Sequence, residues 1–242
     1  KQGLRPVFAV YSSFLQRGFD MLLHDVALQG LHVVLAVDRA GLVGADGPTH
    51  HGCQDVGYLT QIPGMTVLCP ACYGELREML RAALAMDGPV AVRYPRGTEG
   101  RQYPDWRGES ASVLRQGRDA TLVSYGVMTD ELLSAAKTLA EGGFEAEVIK
   151  LHRIAPLDPE PVLDSVRRTG RLLVLEDCNE NGSIGQQLAA ALAQAGVKAE
   201  QVSLLNLKQS FAPQGTVAQL RRLMGIDAEA VVHAFSGAEP RS

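Results

Sequence analysis

The feature that most constrains this chain is a series of short apolar runs that do not alternate with polar residues. Val7-Phe8-Ala9-Val10, Val33–Val37, Thr66–Leu68 and Pro89–Tyr94 fall in the first hundred residues. Ala120–Tyr125, Glu145–Lys150, Leu172–Leu175 and Val202–Leu205 follow later. A strand with one wet face alternates, so continuous runs predict strands covered on both faces. The covering layers are legible too. Leu15, Phe19, Leu22, Leu23 and Val26 recur at helical spacing, as do Leu76, Met79, Leu80, Ala83 and Leu84. Ser13 with Gln16 has the spacing of a capping box for the first of these helices, and Gly30 closes it. Further helices are predicted at Thr129–Glu141, Pro159–Arg168, Ser183–Ala195, Thr216–Met224 and Asp227–Phe235. Strands separated by helices give an α/β fold built on parallel or mixed sheets.

The alternation is interrupted once. From Arg96 to Arg118 Gly, Pro, Asp and Arg dominate and the periodicity lapses, as in a linker. Two domains are therefore expected, residues 1–97 and 119–242, joined by a linker over 98–118. The 242 residues carry 27 acidic and 23 basic side chains, a net charge of −4, which gives no electrostatic footing for nucleic acid. No apolar run approaches the ~18–20 residues of a membrane span. Four cysteines, Cys53, Cys69, Cys72 and Cys178, are too few for a disulfide scaffold, so a cytoplasmic protein is expected. Cys69-Pro-Ala-Cys72 has redox spacing but no aromatic residue before its first cysteine. A zinc site completed by Cys53 or His51 lacks a second ligand pair, and no metal ligand is expected in this chain.

Three polar clusters follow strands, where open α/β sheets bind ligands. The densest runs from Asp38 to Gly52 and offers Asp38, Arg39, Asp46, His50 and His51 among four glycines. Its glycines fit neither a Walker loop nor a dinucleotide fingerprint. The second is Tyr11-Ser12-Ser13-Phe14-Leu15-Gln16-Arg17, and the third is Arg93-Tyr94-Pro95-Arg96-Gly97, whose guanidiniums suit a phosphate or carboxylate. Taken by themselves, these residues admit a solvated loop, core aromatics and surface arginines as well as a site. Asp177-Cys178-Asn179-Glu180-Asn181-Gly182 reads as a turn and helix cap.

Val10 to Arg17, Asp38 to Gly47, Thr49-His50, Arg93 to Gly97 and the late Ala212-Pro213-Gln214-Gly215-Thr216 together resemble the 1-deoxy-D-xylulose-5-phosphate synthases, transketolase-like enzymes that depend on thiamine diphosphate. The likeness runs over essentially the whole chain. It implies a pyrimidine-binding domain that lacks its N-terminal part, followed by a transketolase C-terminal domain. It further implies a transferase that joins pyruvate to glyceraldehyde 3-phosphate with loss of carbon dioxide, supplying isoprenoid, thiamine and pyridoxal synthesis. By resemblance, Phe14 stacks on the cofactor's aminopyrimidine and His50 stands near the reacting carbon. Tyr11, Arg17, Arg39, Asp46 and Arg96 line the acceptor-sugar pocket, and a homodimer is implied.

Two family motifs do not occur in the sequence. The Glu-Gln-His motif that activates the cofactor and the Gly-Asp-Gly motif that holds its diphosphate and Mg2+ are both missing, and Glu75 and Glu78 are poor substitutes. The chain is therefore expected to need its own N-terminal segment for catalysis. It opens on Lys1 close to a strand, from which a first domain cut within its sheet, and dependent on further chain for order, is expected. Two alternatives stand beside this: the second chain of a split transketolase-type enzyme, and a non-catalytic association fragment.

Overall fold

The computed structural model describes residues 2–237. Lys1 and residues 238–242, which end the two expected domains, lie outside the described residues. Ten strands follow in chain order: β1 (Val7–Tyr11), β2 (Val34–Asp38), β3 (Thr66–Leu68), β4 (Val90–Arg93), β5 (Ala111–Arg115), β6 (Ala120–Tyr125), β7 (Ala146–Leu151), β8 (Arg153–Ala155), β9 (Arg171–Leu175) and β10 (Gln201–Leu205). They form two five-stranded sheets, ordered β1-β2-β4-β3-β8 and β10-β9-β6-β7-β5. All pairings are parallel except β3 with β8 and β5 with β7. The fold is thus α/β with two mixed sheets, and the apolar runs supply their parallel strands.

Several local expectations change. Val7–Val10 is an edge strand rather than a buried one: among the described residues β1 pairs only with β2, and Val7 and Phe8 are each 53% exposed. No capping box forms at Ser13. The helical stretch begins at Ser12 without a side-chain cap and breaks into α, 3₁₀ and π turns through Ala27. The capping box sits instead at Thr216 and Gln219, on the helix Val217–Met224. The stretch read as a linker holds β5, which runs antiparallel along β7, and Trp106, which is buried. β8 is also unforeseen. Leaving β7, the chain crosses to the first sheet and pairs with β3, so the second half of the sequence contributes a strand to the first half's sheet.

This crossing is one reason the two sheets share a core. A single buried cluster joins Leu35, Val37 and Val67 of the first sheet to Val123, Ile149 and Val174 of the second. Across the same seam the Tyr73–Ala85 helix inserts Glu75 against Lys150 of β7 in a short ion pair, both side chains essentially inaccessible. Glu75 also accepts the Ala71 N–H at 2.7 Å, and the Lys150 ammonium lies 4.3 Å from the centre of the Tyr103 ring. A buried charge is tolerable only with partners of this kind.

His152 is buried beside this pair. Its Nε2 lies 2.8 Å from Ser112 Oγ and 3.6 Å from Glu109, and its Nδ1 lies 3.6 Å from Glu75. Burial, reinforced by Lys150 and opposed by Glu109, lowers the His152 pKa from 6.5 to about 4. The unfolded chain therefore takes up a proton near pH 6.5 that the folded chain refuses until about pH 4. Stability is full above that window and falls as pH drops through it, by up to about 3 kcal/mol. Urea unfolding between pH 8 and pH 4 should show this decline, and His152→Gln should flatten that part of it.

Candidate functional site

Parallel pairing of β1, β2 and β4 sends their carboxyl ends in one direction, and the register aligns those ends closely. Tyr11 lies opposite Asp38, and Val37 lies opposite Arg93. The three polar clusters therefore emerge side by side along one rim of the first sheet. The Asp38–Gly52 loop is tied to that rim at its stem. Ala40 donates to the Tyr94 carbonyl at 3.1 Å, and Gly41 and Gly52 exchange backbone hydrogen bonds of 2.8 Å in both directions. Arg39 at the turn takes a left-handed backbone, φ 58°, with its N–H on Asp38 Oδ1 at 2.7 Å. Such strain in a non-glycine residue persists where its surroundings fix it.

Six of the seven candidate residues meet here. The Arg39 guanidinium lies 4.0 Å from the centre of the Tyr11 ring and forms a short ion pair with Asp46. Arg96 reaches the same Asp46 oxygen in a second short pair. The Tyr11 and Phe14 rings are 5.3 Å apart, and Phe14 meets the His50 imidazole edge to face at 5.6 Å. Thr49 Oγ1 lies 3.0 Å from His50 Nδ1. Hydrogen bonding from Arg96, opposed by partial burial and reinforced by the charges of Arg96 and Arg39, holds the Asp46 carboxyl below its ordinary range. Arg17 stands apart, exposed on the 3₁₀ turn Gln16–Gly18 and outside these contacts.

The second half of the chain braces this loop. Gln214 donates to the Ala45 carbonyl at 2.8 Å. His51 Nδ1 accepts the Val43 N–H at 3.1 Å, so its Nε2 carries the proton and donates to the Pro213 carbonyl at 3.0 Å. His51 is thus a buried neutral strut, and the late Ala212–Thr216 motif packs against the loop it accompanies in sequence resemblance.

Arg93 differs most from its sequence reading. It does not face outward beside Arg96; it is buried, and its two ligands are internal carboxylates. Nε donates to Asp55 at 2.9 Å and a terminal nitrogen to Asp177 at 2.9 Å, while the guanidinium carbon lies 5.5 Å from the centre of the Tyr125 ring. Burial opposes the charge on Arg93, but Asp177 and Asp55 outweigh it and raise its pKa. Burial pushes the Asp55 carboxyl up, against the pull of Arg93. Asp177 is therefore an ion-pair partner, and the cap of the helix Ile184–Gln194 is Ser183. Sequence reasoning missed Asp55 and Asp177; for Asp177 the one available signal was Gly41, which faces it, since close backbone approach needs glycine, and for Asp55 there was none.

All four cysteines are free and buried. Burial pushes the Cys69 thiol up to about 12 and raises Cys53 and Cys178 as well, which makes these thiols poor nucleophiles at neutral pH. Among the described residues no group of three or more His, Cys, Asp or Glu is placed to hold a metal ion, and no helix is long and apolar enough to cross a membrane.

Two mixed-sheet α/β domains with a polar loop cluster at their seam define a class. Residues 1–100 match the pyrimidine binding domain of transketolase and residues 109–231 match the transketolase C-terminal domain. The chain belongs to the transketolase family. Among solved structures, a split-gene transketolase described as an inactive beta4 tetramer superposes with a TM-score of 0.86 at 27% identity, over 98% of this chain and 77% of that one. The transketolase of Campylobacter jejuni shares the fold, with a TM-score of 0.75 at 18% identity over 97% of this chain and 36% of that one.

The particular relatives are narrower. The 1-deoxy-D-xylulose-5-phosphate synthase 1 of Geobacter sulfurreducens is 43% identical over 241 residues, and the 1-deoxy-D-xylulose-5-phosphate synthase of Thermomicrobium roseum is 44% identical over 239 residues. These alignments cover 96% and 95% of this chain, which spans 37% of the length of either relative. The charge arrangement at Asp46 is directly testable. Carboxyl-carbon NMR should find Asp46 titrating below the ordinary aspartate range, and Arg96→Ala should move it back upward.

Proposed function

We propose that this chain is the acceptor-binding segment of a 1-deoxy-D-xylulose-5-phosphate synthase, a thiamine-diphosphate-dependent transferase that condenses pyruvate with glyceraldehyde 3-phosphate and releases carbon dioxide. The observation that carries this reading is the convergence of Arg39 and Arg96 on Asp46 beside the Tyr11–Phe14–His50 row. In this reading residues 1–97 form the pyrimidine-binding domain, 98–118 the connection and 119–242 the C-terminal domain. The enzyme works in the cytoplasm as a homodimer and feeds isoprenoid, thiamine and pyridoxal synthesis.

The residues present fit the ring of the cofactor. Phe14 remains 45% exposed although Tyr11 and His50 lie beside it, so its ring has area for a flat heterocycle. The diphosphate and Mg2+ are assigned to the N-terminal part of the enzyme, which carries the motifs this sequence lacks. When bound, thiamine diphosphate would supply the nucleophilic chemistry of the carbon–carbon bond formation, with Phe14 holding its ring.

The chain's own residues then have distinct tasks. Arg39 and Arg96 hold the acceptor's phosphate; each guanidinium has five donors, and Asp46 occupies only part of that set. Binding a remote phosphate orients the aldehyde at the reacting end. Tyr11 stacks under Arg39 and keeps its fork in place, while Arg17, which stands outside these contacts, is assigned to the pocket by the family resemblance alone. The aldehyde oxygen becomes an alkoxide and needs a proton. When His50 is an imidazolium both nitrogens carry hydrogen, so Nδ1 donates to Thr49 Oγ1 and Nε2–H is left for that transfer.

A second reading is favoured by one observation, the match over 98% of this chain to a split-gene transketolase chain. There this chain is the separate second subunit, completed by a partner. Mixing it with an N-terminal chain and measuring carbon dioxide release from pyruvate, with and without glyceraldehyde 3-phosphate, tests both; stable association without activity would leave only a binding role. In the active assembly His50→Ala should lower kcat by about 10²–10⁴-fold. Arg96→Ala should chiefly raise the KM for glyceraldehyde 3-phosphate, and unchanged kinetics in both variants would sink the assignment.

A further inference from the structure

We infer that Asp177, a residue of the second domain, is a positioning residue for the loop that carries Asp46 and His50; the inference rests on the functional reading above. Its two carboxylate oxygens face different elements. Oδ1 accepts from Arg93, which ends β4, and Oδ2 lies against Gly41 at the stem of the loop. A Cβ built on Gly41 would stand 1.9 Å from Oδ2, so the carboxylate occupies the space that any side chain there would need. The backbone at Gly41 has φ +74°, a second requirement for glycine.

The opposite side of the stem is equally close. A Cβ on Gly52 would stand 2.3 Å from the Arg39 carbonyl and 2.6 Å from Ser12 Oγ. Gly41 and Gly52 are the residues joined by two 2.8 Å hydrogen bonds. The stem is thus a thin backbone ladder pressed between the Tyr11–Ser12 turn and Asp177. Everything beyond it, from Leu42 to His51, projects from that ladder.

Charge balance does not account for Asp177. Arg93 already has Asp55, and a second carboxylate makes the buried set two acids against one base. A buried pair is weak evidence of stabilisation in any case. What Asp177 adds is a fixed link from β9 of one sheet to the site loop of the other, with Arg93 holding the carboxylate in the orientation that braces Gly41. Arg93 is also one residue from Tyr94, whose carbonyl accepts from Ala40 beside the stem. A misplacement of about 1 Å at the far end of such a loop is enough to cost catalysis heavily.

The test uses the complete enzyme, this chain assembled with its cofactor-binding part, and the variants Asp177→Ala and Asp177→Asn. In Asp177→Ala, hydrogen exchange at the Gly41 and Gly52 amides should accelerate while β2 and β9 stay protected. The KM for glyceraldehyde 3-phosphate should rise about tenfold relative to the KM for pyruvate. Asp177→Asn keeps the shape and an oxygen acceptor for Arg93, and should recover most of both effects. Unchanged exchange at residues 41–52 overturns the inference. So does an equal loss for both substrates accompanied by a lower Tm, which is a folding defect only. If the wild-type assembly performs no condensation, the functional reading fails, and the exchange measurement alone decides whether Asp177 holds the loop.

Discussion

The structure turns on one guanidinium taken out of water between two sheets. Arg93 ends β4, and its three neighbours come from three places: Asp55 from the helix Asp55–Leu59, Asp177 from the turn after β9, and Tyr125 from the end of β6. Desolvating a guanidinium is costly, and the cost is recovered only where carboxylates reach it in hydrogen-bonding geometry. That requirement brings the carboxyl end of the first sheet against the carboxyl ends of β6 and β9 in one arrangement. An apolar seam alone would bind the sheets without choosing among sliding alternatives. The shared core supplies attraction, and the ion triad, with the β3–β8 pairing and the buried Glu75–Lys150 pair, makes the contact between the two halves specific.

Given that arrangement, the site follows from strand geometry. Parallel strands deliver their loops to a common rim: pairing of β1, β2 and β4 sets Tyr11 opposite Asp38, and Arg93 one position earlier, opposite Val37. The rim divides into a row of rings and a row of charges. Tyr11 belongs to both, since it contacts Phe14 and lies under Arg39. Asp46 keeps two guanidiniums near each other that would otherwise repel. Its pKa is lowered because the hydrogen bond from Arg96 and the charges of Arg96 and Arg39 favour the ionised form. The two cations are thus gathered side by side, and under the proposed function this would reduce the ordering that binding the acceptor's phosphate must impose.

The parallel strands and the helices of the second half were legible in the sequence because their signals are local. Apolar runs mark the strands, though not which of them lies at an edge, and Ser183, Thr216 and Asp227 cap their helices through their own side chains. The first helix was misread for the same locality: Ser13 and Gln16 have the right spacing, yet Tyr11 leads straight from β1 into the turn and Ser13 is buried without a hydrogen-bond partner. β8 has three residues, too few for any periodicity, and its place in the first sheet depends on pairing with β3 far back in the chain. Arg93 and Arg96 look alike in sequence. Their opposite fates follow from position: Arg93 is the last residue inside the sheet, and Arg96 lies beyond it in the loop. The partners that decide the matter are 38 and 84 residues away from Arg93, beyond the reach of any spacing rule.

The same distance explains why the first domain cannot own its site. Every residue of the rim lies before residue 100, and the loop closes on itself through Gly41 and Gly52. A ladder of two glycines has no side chains to fix its tilt, so its direction is set by whatever packs on either side. One side is Ser12, local to the first domain. The other is the second domain, through Asp177 at Gly41, Gln214 at Ala45 and Pro213 at His51. Glycine at the stem permits this close packing, but it also removes the stiffness that would let the loop hold its shape unaided. The loop's polar residues are encoded in one half of the chain, and the groups that pack against its outer side come from the other.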